Sequence, residues 1–192
     1  AGVPTAMEAD LAAHPALDEA TTDWWVCAYA FSQTAMKGIP ETSAWCKMEG
    51  LQSLVQTIGR TVMMLDPWDA PSTVGRIWCL WEILNTQRGG AIFEVAISDA
   101  QAARFVEALV ADWKSIMKAT SRVDVRNATA FSPDDTAMIM GKMGEEGASA
   151  CNEAISGLLL DALLLQALAA LARKTEEERG TSRLLVNVGL LH

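Results

Sequence analysis

Histidine is almost absent from this sequence, which has only His14 and His192 among its 192 residues. Both lie near the chain ends, so the sequence has too few histidines to favour a Ser-His-Asp or Cys-His nucleophile system or a zinc site. The four cysteines are widely separated and form no CxxC pair, so we expect reduced thiols in a cytoplasmic protein rather than a disulfide framework. Any enzymatic chemistry is therefore expected to depend on carboxylates, and no metal site is predicted.

Basic residues are also scarce, because 15 Lys and Arg stand against 24 Asp and Glu and leave a net charge of −9. No basic run is present, so we expect no binding to nucleic acid. The sequence contains neither a GxxxxGK[ST] phosphate loop nor a GxGxxG motif. The chain opens without a Met or an apolar leader and ends within an apolar pattern, and we interpret it as a fragment of a longer protein.

One segment, residues 155–172, is apolar enough to resemble a membrane span. Asp161 lies near its middle and Gln166 follows. A central Asp costs about 3 kcal/mol on insertion scales, and this offsets the gain of about 0.5 kcal/mol from each leucine. We therefore predict a helix buried within the protein and no association with a membrane.

The remainder of the sequence alternates between two hydrophobic patterns. Continuous apolar and β-branched runs predict strands at 24–31, 61–65 and 91–97. Helical spacing predicts helices over 43–58, over 73–87 with Ser72 or Thr73 as the cap, and from Ser98 or Asp99 through Met117. This order indicates an α/β fold with a mostly parallel sheet and right-handed crossovers.

The helix predicted after the second strand contains the string Trp78-Cys79-Leu80-Trp81-Glu82-Ile83. A strand, a polar loop and a helix with Trp-Cys-Leu-x-Glu-Ile resemble the TIR domain, whose plant-type members carry a WCLxEL-like signature in this order. The resemblance covers about residues 22–130, and the wider chain looks like TIR-related modules of protist and algal proteins. It implies a three-layer, flavodoxin-like, mostly parallel sheet, here incomplete at the N-terminus.

The resemblance also implies a chemistry. In enzymatic TIR domains the glutamate of this helix cleaves NAD between nicotinamide and ribose, which makes Glu82 the candidate catalytic residue. NAD would then be a substrate, with no permanently bound cofactor. A carboxylate beside the ribose can stabilise the oxocarbenium character of such a reaction without help from a histidine.

Four further residues are candidates for binding the nucleotide. Ser32 and Asp66 follow the first two predicted strands, where α/β sheets place ligands. Arg76 can pair with a phosphate, and Trp78 can exclude water from Glu82 or stack on a ring. Each has a structural alternative: turn formation or helix capping for Ser32 and Asp66, a solvated surface position for Arg76 and Glu82, and a core position for Trp78 and Trp81.

The C-terminal segment 182–191 carries a second resemblance, to the first helix of a tetratricopeptide repeat of the kinesin-light-chain type. We therefore divide the chain into a poorly structured lead-in over 1–22, a TIR-like α/β domain over 23–145, a Leu-rich helix over 146–174 that packs on or extends it, and a linker with the start of a helical repeat over 175–192.

Two functions remain open from the sequence. One is an NAD nucleosidase in a signalling protein, favoured by Glu82 in its Trp-Cys-Leu-Trp-Glu context. The other is an inert interaction module that associates with itself and binds proteins or peptides through the repeats. The missing first strand and the apolar helical surface favour this second function.

Overall fold

The computed structural model describes residues 7, 8, 11, 14–18, 20, 22, 49–144 and 147–172. The predicted strand at 24–31, Ser32, the first part of the helix predicted at 43–58 and the repeat-like segment 182–191 lie outside these residues. The described elements follow in chain order: α1 Glu49–Ile58, β1 Arg60–Met64, α2 Ile77–Arg88, β2 Ile92–Ala96, α3 Asp99–Ala111, α4 Lys114–Thr120, α5 Pro133–Gly144 and α6 Ala148–Ala172.

The described strands form a two-stranded parallel sheet, which together with the surrounding helices is compatible with an α/β fold. β1 and β2 pair in register from Arg60 opposite Ile92 to Met64 opposite Ala96. The helix α2 connects them as a βαβ crossover. Both strands lie within one residue of their predicted positions, because each is a short apolar run bounded by glycine or polar residues.

The start of α2 differs from the prediction. Residues Ser72–Gly75 form a separate 3-10 turn, Arg76 is extended, and neither Ser72 nor Thr73 caps the helix. Instead, Thr129 N–H donates to the Gly75 carbonyl at 3.0 Å, and Ile77 N–H donates to the Thr129 carbonyl at 3.0 Å. A first-turn N–H needs an acceptor, and here a distant segment provides it.

The helix predicted from Ser98 or Asp99 to Met117 is two helices. Ser98 is the cap, and its hydroxyl accepts from Gln101 N–H at 3.4 Å. The first helix ends at Ala111 because the Asp112 side chain competes for backbone hydrogen bonds. The Asp112 carboxylate accepts from Lys114 N–H at 3.1 Å. Short polar side chains commonly interrupt helices in this manner.

The helix α6 is a core element that covers one edge of the sheet. Every fourth residue along one of its faces is buried, namely Cys151, Ile155, Leu159, Leu163 and Ala167. Gln166 Nε2 donates to the Val95 carbonyl at 3.1 Å, on the side of β2 that faces away from β1. The segment Ala148–Ala169 is also long and apolar enough to cross a membrane, but length and composition are equally satisfied by a core helix.

A polar cluster occupies the sheet near its N-terminal end. Arg60 Nε donates to Glu94 Oε2 at 2.6 Å, and His14 Nε2 lies 2.8 Å from Glu94 Oε1. Arg60 Nη2 is also 3.0 Å from His14 Nδ1. Because arginine only donates, His14 accepts at Nδ1 and carries its proton at Nε2, which satisfies all three groups.

Candidate functional site

The crossover helix α2 positions the candidate catalytic carboxyl. A helix that connects two parallel strands runs back along the sheet, so its first turn lies near the carboxyl ends of the strands. Asp66 follows the end of β1, and Arg76 directly precedes α2. Glu82 lies in the second turn, about 8 Å along the axis from Ile77. Glu82 therefore lies about midway along α2, beyond its first turn, and Thr86, which binds the Glu82 carbonyl, contacts Thr61 near the N-terminal end of β1.

The Glu82 carboxyl is half-buried and, among the described residues, forms no hydrogen bond or ion pair. Burial raises the pKa of Glu82 to about 7, and the positive charge of Arg76 acts in the opposite direction. Loss of hydration disfavours the charged form, and no donor compensates for it. At neutral pH the group therefore exchanges readily between an acid and a carboxylate, a property common at functional sites.

The backbone at Glu82 is fixed to the sheet by two hydroxyl groups. Thr86 Oγ1 donates to the Glu82 carbonyl at 2.8 Å, and Thr61 Oγ1 of β1 lies 2.7 Å from Thr86 Oγ1. Since the Thr86 proton is used in the first bond, Thr61 donates in the second. The turn that bears Glu82 is thereby held against β1.

Glu82 shares one face of α2 with Trp78, Trp81 and Asn85, at the i, i+3, i+4 and i+7 spacing. Asn85 is fully buried, and its Nδ2 donates to the Trp81 carbonyl at 2.7 Å. This bond fixes the amide orientation, because a carbonyl only accepts. Asn85 Oδ1 and Trp81 Nε1 are buried and have no hydrogen-bond partner among the described residues. Most buried polar atoms are paired, so this face is unusual in offering one free acceptor and one free donor beside the acid.

The predicted site residues are only partly brought together. Arg76 is exposed, and it is close enough to Glu82 to influence its charge. Trp78 is half-buried and packs against the core, while Trp81 is a core residue whose ring also contacts the Arg88 guanidinium at 5.3 Å. No hydrogen bond or ion pair joins Asp66 to Glu82. Ser32 lies outside the described residues.

Asn85 was not predicted from the sequence. The only sequence feature that could have indicated it is an Asn three residues after Glu82 on the same helix, and most such residues are solvated. Among the described residues, no group of three or more His, Cys, Asp and Glu side chains is arranged to hold a metal ion. The chemistry that these residues offer is that of a single desolvated carboxyl with a nearby cation and unpaired hydrogen-bonding groups.

Comparison with family models, curated proteins and solved structures finds no match to this chain.

Proposed function

We propose that this chain is a TIR-like signalling module in which Glu82 cleaves the bond between nicotinamide and ribose in NAD. The observation that carries the proposal is the half-buried, unpartnered carboxyl of Glu82, with its pKa near 7, on the crossover helix of a parallel βαβ unit. In the TIR domain, which this sequence resembles, the Trp-Cys-Leu-x-Glu signature also lies on a helix that follows a strand.

A single carboxylate is sufficient for this reaction. Nicotinamide leaves NAD as a neutral molecule from a cationic ring, so the leaving group needs no general acid. The ribose carbon becomes positively charged as the bond breaks, and an ionised Glu82 stabilises that charge in an environment where water does not screen it. Water then adds to the ribose carbon and loses a proton to the solvent, and the products are nicotinamide, ADP-ribose and a proton.

The remaining residues would bind the substrate. In this proposal Arg76 pairs with the pyrophosphate, and Trp78 excludes water from the reacting bond. The free donor of Trp81 and the free acceptor of Asn85 suit ribose hydroxyls, which both donate and accept. Both atoms are inaccessible in the ligand-free chain, so binding would displace the groups that cover them.

The flavodoxin-like, three-layer sheet belongs to the same proposal. The β1–α2–β2 unit is the building block of such a sheet. Because Gln166 of α6 binds the Val95 carbonyl on the outer side of β2, further strands of such a sheet would add on the β1 side. We also retain as proposals the cytoplasmic location and the tetratricopeptide-type repeat that binds partners.

Nicotinamide release is the direct test. Purified chain is incubated with NAD, and nicotinamide is measured by chromatography for the wild type and for Glu82→Gln, which removes the charge at almost constant volume. The exposed Glu153, replaced by Gln, is the matched control. We expect turnover in the wild type and the control and a loss of at least 100-fold in Glu82→Gln. Turnover that survives Glu82→Gln would remove the assignment.

A second candidate function is a protein-interaction module without turnover. It is favoured by the outer face of α6, where Leu165 is 60% exposed and Leu168 is 39% exposed. Adjacent exposed leucines on one helix face are typical of association surfaces. Absence of nicotinamide release at high protein concentration, together with self-association that Leu165→Gln abolishes in light scattering, would establish this function instead.

A further inference from the structure

The outer face of α6 contains a glycine that packing within the chain does not require. Gly157 lies inside this 25-residue helix and is exposed. A Cβ atom at this position would meet no heavy atom of the described residues within 4 Å. Glycine inside a helix is less favourable than alanine, and nothing in the described part of the chain compensates for it. The space above Gly157 is therefore open to a second molecule.

An acid and two leucines continue the same side of α6. Asp161, Leu165 and Leu168 follow Gly157 at steps of four, four and three residues, which places them on one side of the helix. Leu165 is 60% exposed and Leu168 is 39% exposed, and Asp161 is also exposed. Asp161 forms no hydrogen bond or ion pair with the described residues. These four residues define the α6 face, and a surface that fits it needs a cation next to an apolar side chain.

The helix α4 presents this combination. Its outer side, which we define as the α4 face, consists of Lys114, Met117, Lys118 and Ser121, at the i, i+3, i+4 and i+7 spacing. All four are exposed, and Met117 is 38% exposed. Neither lysine pairs with a carboxylate of the described residues, although the chain has 24 Asp and Glu against 15 Lys and Arg. Both cations are therefore available to an acidic group of another molecule.

Within one molecule, α4 and α6 contact each other through different residues. Ser156 Oγ donates to the Thr120 carbonyl at 3.1 Å, and Thr120 is buried. The α4 face and the α6 face both stay exposed in this arrangement. The two faces can therefore meet only when they belong to different copies of the chain.

We propose that the α4 face of one copy docks on the α6 face of another copy. Lys118 then lies beside Asp161. Met117 packs next to this pair, against Leu165, and the missing side chain of Gly157 lets the second helix approach closely. This inference rests on the second candidate function, in which copies associate through α6, and it does not depend on Glu82.

The geometry of the contact has two consequences. The two faces differ, so the interface is heterologous and adds copies in a chain or a ring instead of closing a two-fold dimer. Each face has four residues, which is far fewer than the about 20–30 residues per side of a stable complex. The association is therefore transient and requires a high protein concentration.

Exchanging the two charges tests the pairing. Sedimentation velocity and light scattering at low salt compare the wild type with Lys118→Glu, Asp161→Lys and the double variant. Each single change places like charges opposite each other and should weaken association about tenfold. The double variant, and an equimolar mixture of the two single variants, should regain the wild-type level. A general effect of net charge predicts the opposite for Asp161→Lys, since this change brings the net charge of −9 closer to zero.

Gly157 provides a test that is independent of charge. Gly157→Leu should retain or raise the stability measured by urea denaturation, because leucine is the better helix former and meets open space. The same variant should weaken association about tenfold, because its side chain fills the space that the second copy occupies. Glu153→Gln removes an exposed charge about 12 Å along α6 from Asp161, and as the matched control it should change neither property.

Three results would overturn the inference. A wild type that stays monomeric at its highest soluble concentration removes both this inference and the second candidate function, and leaves nicotinamide release untouched. Association that Leu165→Gln abolishes but neither charge reversal weakens keeps the second candidate function and shows that α4 is not the partner surface. A double variant that stays as weak as the single variants shows that Lys118 does not pair with Asp161.

Discussion

The raised pKa of Glu82 predicts that this residue makes the folded protein less stable as the pH increases. In the unfolded chain the carboxyl has its ordinary pKa of 4.5, whereas in the folded chain the pKa is about 7. The folded state therefore holds a proton more tightly between these values. The stability associated with the protonated group is fully present below about pH 4.5 and is lost as the pH rises through about 7.

The magnitude follows from the shift. A difference of about 2.5 pKa units corresponds to about 3 kcal/mol in the free energy of unfolding, and about 2.5 kcal/mol of this falls between pH 5 and pH 8. Glutamine has nearly the same shape and does not titrate. The Glu82→Gln variant should therefore gain stability relative to the wild type by about 2.5 kcal/mol between pH 5 and pH 8.

Urea denaturation followed by circular dichroism at pH 5, 6, 7 and 8 measures this difference. The titration of the other carboxyl groups contributes equally to both proteins and cancels in the difference of unfolding free energy. The Glu153→Gln variant measures the effect of removing an exposed charge. If the wild type and Glu82→Gln keep a constant difference in unfolding free energy across this range, Glu82 is not desolvated. The physical basis of the site would then be wrong.

Three further predictions concern the groups around the site. The kcat for nicotinamide release should rise with pH to a plateau above about 7, because the ionised Glu82 is the active form; a pH-independent kcat would contradict this assignment. Thr86→Val removes the hydroxyl between the Glu82 carbonyl and Thr61, and should lower the free energy of unfolding by about 1–2 kcal/mol in urea titrations, whereas Thr86→Ser should retain it. Gln166→Met leaves the Val95 carbonyl without its donor and should cost about 1–2 kcal/mol in the same assay; an unchanged midpoint would show that α6 does not protect this edge.

Much of the local structure was predictable because it depends on neighbouring residues. The two strands are short apolar runs, and α1 ends just before Gly59, whose φ of +73° suits a glycine. The start of α5 is also local, because Ser132 accepts from Asp135 N–H and Pro133 occupies the first turn. The predicted start of α2 at Thr73 was wrong. The helix begins at Ile77, because the Ile77 N–H donates to the carbonyl of Thr129, which lies far along the sequence.

The candidate site was predictable only in part. The string around Glu82 identified the acid, but nothing in it shows whether the side chain is solvated or desolvated. The unpaired atoms of Trp81 and Asn85 arise from packing around α2, which a helical pattern does not reveal. The pairing of Arg76 with Thr129 depends on a single bridge between distant segments.

The sequence by itself determined the α/β alternation, the βαβ unit and the placement of an acid on its crossover helix, since these follow from periodicity and local hydrogen bonding. The tertiary structure decided the chemical character of that acid. Only the assembled core removes water from Glu82 without providing a partner among the described residues. This effect arises between residues that are far apart in the chain.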